Sequence, residues 1–169
     1  MATTLAFHMC PTPPSQSEAR ARFVAICRTW IGTRYVFRAR VKGTGADCSS
    51  WIAESLIEAG LATRESLYGG LNINHQDWWL HASDEVYKRR LLRHSRQIAE
   101  TVARRSTDAL PGCILLQRAA KSRVYNHGAV VTEWPRIIHC LRFGVTEVDA
   151  TTDPMWNCKE ITIFDTFSG

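Results

Sequence analysis

Gly45-Ala46-Asp47-Cys48-Ser49-Ser50-Trp51 is the stretch on which the reading of this chain turns. Behind the cysteine, Trp51, Ile52, Ser55, Leu56 and Ala59 recur at helical spacing, and Gly60 follows as a stop. Cys48 is therefore expected in the first turn of a helix, with Gly43 and Gly45 breaking the preceding segment into a loop. A thiol there feels the partial positive charge of the unpaired helix N–H groups, which favours the nucleophilic thiolate. The same segment also reads as a small buried hydrophobe that happens to open a helix. The rest of the chain has to choose between the two.

Upstream, Ser15-Gln16-Ser17-Glu18 has the spacing of a capping box. A helix then carries Ala19, Phe23, Ile26, Cys27 and Trp30 on one face and ends near Gly32. Tyr35-Val36-Phe37 reads as a short extended piece. Downstream, residues 61–83 look irregular, with Gly69-Gly70 and Trp78-Trp79, and a basic helix is expected over Asp84–Arg104. The cations clustered here (Lys88, Arg89, Arg90, Arg93, Arg96, Arg104 and Arg105) read as a solvated face, with Val86, Leu91, Ile98 and Val102 on the buried side. From Pro111 the pattern turns to strands: Cys113–Leu116, His127–Thr132, Arg136–Cys140, Val145–Val148 and Glu160–Phe164. Helices first and strands afterwards imply an α+β domain with one antiparallel sheet.

Composition limits the function classes. A chain of 169 residues, 45% hydrophobic and 22% charged, suits one globular domain. We read residues 1–14 as a flexible segment and 15–169 as that domain. No apolar run approaches the roughly 18 residues that a membrane span needs, and the N-terminus lacks the basic-then-apolar pattern of a secretory signal. A net charge of +5 favours nucleic acids, anionic membranes or acidic polymers such as cell wall as partners, and no nucleic-acid motif with interleaved aromatics accompanies it. The six cysteines include no C-x-x-C pair, so neither a metal site nor a cofactor is implied and reduced thiols are expected.

A cysteine nucleophile needs a base, and that base needs a group to fix its tautomer. His8, His75, His81 and His94 are most simply surface residues, whereas His127 and His139 belong to strands. Strand parity makes a sharp condition. A two-residue loop at Trp134-Pro135 pairs Glu133 with Arg136, hence His139 with Val130, and puts the histidines on opposite faces of the sheet. A three-residue loop or a bulge puts them on the same face. The catalytic reading requires the second arrangement, with the helix aiming Cys48 at the face that carries both histidines.

The order of these elements resembles the NlpC/P-sixty cell-wall peptidases, and within them the phage-tail branch. The residues that carry the resemblance are Arg28-Thr29-Trp30-Ile31-Gly32-Thr33-Arg34-Tyr35, then Lys42-Gly43-Thr44-Gly45-Ala46-Asp47-Cys48, then Pro111-Gly112-Cys113, Asn126-His127-Gly128 and Ile138-His139. They run from about residue 18 to 165. The resemblance implies a papain-like domain, with N-terminal helices packed on a five- to six-stranded antiparallel sheet. It implies Cys48 as nucleophile, His127 as general base and acid, and His139 as the residue that orients His127. Tyr35 and Ser49 would line the oxyanion and substrate side, and no cofactor is needed. The reaction implied is hydrolysis of an amide bond in a peptidoglycan stem peptide, between D-glutamate and a diamino acid, by an enzyme carried with other phage-tail proteins. Alternatives of the same fold are a tail or wall-binding module without turnover, and an acyltransferase or amidase. Two positions depart from the family pattern: Ser50 stands where many relatives have glycine, and Cys113 where they have aspartate.

Overall fold

The computed structural model describes residues 14–69, 86–102, 109–119, 122–157 and 159–167. The flexible segment expected at the N-terminus lies outside these except for Pro14, as do Trp78, Trp79, His75 and His81. Helix α1 (Gln16–Arg28) is opened by Ser15, whose side chain accepts from the Glu18 N–H while the Glu18 carboxylate accepts from the Ser15 N–H at 2.8 Å. This is the expected capping box. The helix buries Phe23, Val24 and Cys27.

A tight turn after α1 is strapped to the sheet, since Gly32 N–H donates to the Val145 carbonyl and Val145 N–H to that of Thr33. Gly144, at φ +99°, allows this approach because an added Cβ would strike the Thr33 carbonyl. Tyr35 then forms an isolated parallel bridge to Ala46. A two-stranded sheet, β1 (Arg40–Val41) with β2 (Gly45–Ala46), leads into Cys48. Helices α2 (Ser50–Glu58), α3 (Arg64–Tyr68) and α4 (Val86–Leu91) follow.

The main sheet has six antiparallel strands: β3 (Arg96–Val102), β4 (Ile114–Gln117), β5 (His127–Glu133), β6 (Arg136–Leu141), β7 (Gly144–Asp149) and β8 (Glu160–Asp165). Their order is β3-β8-β4-β5-β6-β7. One face bears Ile114, Leu116, Val130, Ile138 and Phe164 and packs against Phe23, Trp51, Ile52 and Leu56 of the helices. The other bears Leu115, Ala129, Val131, Ile137, Ile161 and Ile163 around Trp156.

Two elements differ from the sequence reading. Within 61–83, expected to be irregular, Arg64–Tyr68 forms α3, opened by Thr63, whose side chain accepts from the Ser66 N–H at 3.1 Å. The basic helix expected over Asp84–Arg104 is a six-residue helix followed by a strand, β3, paired with β8 through Arg96↔Asp165 and Val102↔Glu160. The physical reason is visible in the residues. Ile98, Thr101 and Val102 are β-branched, a chemistry that suits a strand better than a helix. The pairing edge of β8 supplies the ladder that favours it.

Candidate active site

The site begins with the loop that presents Cys48. Asp47 is buried, and its Oδ1 accepts from the N–H groups of Ser49 at 3.0 Å and Ser50 at 2.8 Å. Its Oδ2 accepts from the Arg38 N–H at 3.1 Å, so one carboxylate opens α2 and anchors the loop. Ser50, the departure from the family pattern, donates its hydroxyl to the Ala39 carbonyl at 2.6 Å and accepts from the Asp47 N–H at 3.0 Å. The serine hydroxyl thus ties down the very segment that carries the thiol. Ser49 is the N-cap residue, and its hydroxyl is engaged with Asp47 at 3.1 Å. Cys48 therefore precedes the N-cap and does not stand in the first turn.

The thiol is 7% exposed and donates to the Asn126 carbonyl at 3.5 Å. Asn126 is itself pinned, its N–H to the Gln117 carbonyl and its side-chain oxygen to the Ala119 N–H at 2.7 Å. Cys48 thus meets the chain one peptide before His127. Burial, the Asp47 carboxylate and neighbouring Cys140 push the thiol well above its ordinary range. This overturns the expectation of a resting thiolate: burial outweighs the helix dipole, and the nearest carboxylate has the wrong sign.

The histidines meet the parity condition. Glu133 pairs with Arg136 across the two-residue turn, but the register shifts between Val131 and Glu133. Thr132 is the extra residue, and His139 consequently pairs with Ala129. His127, Ala129 and His139 then share a face. His127 Nε2 and His139 Nδ1 lie 3.5 Å apart, and both residues are buried. The expected aim of α2 is corrected, however. The helix packs on the opposite face, against Ile114, Leu116, Val130 and Ile138. The thiol meets the sheet at its end, at the Asn126 carbonyl where the chain enters β5. No hydrogen bond joins Cys48 to His127 among the described residues.

Sequence reasoning missed Trp156. Its indole N–H donates to His139 Nδ1 at 2.9 Å, and the ring is fully buried. Indole nitrogen is a donor only, so Nδ1 of His139 must be the acceptor and the neutral ring carries its proton on Nε2. His127 Nε2 stands 3.5 Å from the same Nδ1, whose single lone pair the indole already engages. Burial, with the His139 charge second, lowers His127 to a pKa of about 3. Burial also lowers His139, and Asp153 pulls it partly back. Thiol and imidazoles are all neutral at rest.

Tyr35 is half-buried near this loop, and burial followed by the charges of Cys48, Asp47 and Cys140 raises its phenol to about 12. It remains a hydrogen-bond donor at any physiological pH. Cys113, the second departure, is wholly buried in the core of the histidine face, while Arg20 finds its carboxylate in Asp165 at 2.6 Å. Cys27, Cys48, Cys113 and Cys140 are all free. No helix among the described residues is long and apolar enough to cross a membrane.

Solved structures share this architecture. NlpC1 from Trichomonas vaginalis superposes with a TM-score of 0.60 at 16% identity, over 86% of this chain and 43% of its own. NlpC2 from the same organism gives 0.59 at 14% identity, over 96% of this chain and 49% of its own. The fold is NlpC-like and papain-type. The chain spans less than half the length of either structure. No family profile and no curated protein sequence matches it. Within this NlpC-like fold, the signal for Trp156 was weak: an isolated aromatic in Pro154-Met155-Trp156, distant in sequence from both histidines.

Proposed function

We propose that the protein is a cysteine peptidase of the cell wall, hydrolysing an amide bond in peptidoglycan stem peptides. The observation that carries this reading is the same-face His127–His139 pair, locked by Trp156 beside the loop that holds the Cys48 thiol. In the reaction the Cys48 sulfur leaves the Asn126 carbonyl, gives its proton to the His127 imidazole and attacks the substrate carbonyl. The Cys48 N–H and the Tyr35 hydroxyl serve as oxyanion donors. His127 passes its proton to the leaving amine, and water activated by the same ring releases the acyl group. Because both partners are neutral at rest, proton transfer accompanies attack and the ion pair exists only with substrate seated.

The D-glutamyl to diamino acid bond as target, and delivery by a phage tail, rest on the resemblance of the sequence motifs. The test is purified peptidoglycan incubated with the wild-type chain and with Cys48→Ala. Release of new amino termini that disappears in the variant supports the reading, and mass spectrometry of the fragments identifies the bond. A second reading, a wall-binding module without turnover, is favoured by one observation, the neutral thiol bonded to a backbone carbonyl in place of His127. It would show binding to the wall without release.

A further inference from the structure

On the histidine face lies an open cleft of about 560 Å³ whose lining includes Gln117, Arg142, Asp153 and Lys159. Nothing in the mechanism above uses it. Gln117 ends β4 directly opposite His127, so its side chain stands on the same face in the neighbouring strand. It is fully buried, and neither its Nε2 nor its Oε1 has a hydrogen-bond partner. A buried amide left unpaired at both ends is costly, and such groups occur where something polar completes them.

The rim of the cleft states the sign of that group. Arg142, in the β6–β7 turn, stacks 4.6 Å from the centre of the Phe143 ring, which is 83% exposed. Lys159 stands just ahead of β8. Among the described residues neither cation pairs with a carboxylate. Arg118 adds a third positive charge to the wall, although Glu160 holds it at 3.5 Å. Asp153 is the acid in the lining; its Oδ1 accepts from the Met155 N–H at 2.8 Å, and its charge reaches His139. The cleft therefore adjoins the histidine pair and is net positive, with an apolar wall at Phe143.

We propose that this cleft is a carboxylate-binding subsite for the amine half of an acidic peptide, with Arg142, Lys159 and the Gln117 amide as its donors. The inference rests on the hydrolytic reading for its direction. His127 protonates the leaving amine, and the cleft adjoins His127 through Gln117, which stands directly opposite it in the neighbouring strand. A guanidinium and an ammonium around an amide N–H suit a carboxylate, and Phe143 suits an aliphatic stem.

The test uses the full chain with Cys48→Ala, so that nothing turns over, and two probes: γ-D-glutamyl-L-lysine with its C-terminal carboxylate free, and the same dipeptide as its C-terminal amide. Calorimetry should show the free acid binding about tenfold tighter, the order expected for one partly exposed charge-assisted contact. Arg142→Gln and Lys159→Gln should each shrink that difference, and the Gln117 side-chain amide resonances should move only with the acid. Equal affinity for acid and amide, a preference that survives both substitutions, or no binding of either would overturn the subsite. If the preference holds while the wild-type chain releases nothing from wall, the hydrolytic reading fails and the subsite stands.

Discussion

The two faces of the main sheet are built on different rules. The helix-covered face is sealed by Phe23, Trp51, Ile52 and Leu56 against Ile114, Leu116, Val130 and Ile138. The other face holds His127, His139 and Gln117 at full or nearly full burial, among Ala129, Val131, Ile137 and Trp156. Apolar burial makes the first face a source of stability. Burying imidazoles and an unpaired amide makes the second a liability, retained where chemistry needs it. Cys48 belongs to neither face. It sits at the end of the sheet, where a residue carried by the helix loop can meet one carried by a strand.

Substitutions on each face should break this contrast in opposite ways. Cys48→Ala or His127→Gln should reduce peptidoglycan hydrolysis by about a thousandfold or more, measured as new amino termini, while leaving the urea midpoint nearly unchanged. Leu56→Ala should do the reverse, costing about 2–5 kcal/mol in urea unfolding, with kcat little changed under conditions where the variant is folded. If Leu56→Ala altered the rate more than the stability, the division between the faces would be wrong.

Acidification should separate the faces without a mutation. His127 has its folded pKa lowered from 6.5 to about 3, so the unfolded chain takes up the proton first. Its contribution to stability is complete above about pH 6.5 and is lost as pH falls toward 3. Unfolding at pH 4.5 should be easier than at pH 7 by up to about 3 kcal/mol from this ring, and His127→Gln should lose less over the same interval.

Trp156→Phe sharpens the comparison within one face. It keeps an aromatic ring but removes the N–H and part of the indole's volume, so stability should fall by about 2–3 kcal/mol. The readout that a purely structural role would not move is the tautomer: nitrogen NMR should show His139 Nδ1 losing its acceptor signature, and the acid limb of the kcat profile should shift. The smallest effect concerns the thiol. Iodoacetamide should alkylate resting Cys48 no faster than a model thiol of pKa about 8.5, since burial and Asp47 hold it protonated. Rapid alkylation at pH 6 would show that the thiolate exists before substrate arrives.

The sequence was most legible where one local rule decided the outcome. The capping box at Ser15–Glu18 and the apolar runs at Ile114–Gln117 and His127–Glu133 needed no knowledge of the rest of the chain. It was ambiguous where two periods fit the same residues. Arg96–Val102 satisfies a basic helix face and a strand, and only the free edge of β8 chooses between them. The histidine pair was legible as a condition, because parity left two arrangements and the Thr132 bulge selects one. Trp156 and Gln117 were invisible for another reason: each acts by standing opposite a residue distant in sequence, and nothing in the local pattern marks them. The thiol's protonation was misread because the helix start was weighed without the burial around it.

The bulge at Thr132 has a consequence for how such a hairpin can change over generations. Which side of the sheet His139 faces depends on whether a count of residues is odd or even, and the count includes positions far from any reacting atom. Deleting Thr132 alone would turn His139 to the helix side and strand His127 without its partner, although every chemical group would still be present. The hairpin can therefore lengthen or shorten by twos and keep the pair together, but a change of one separates it.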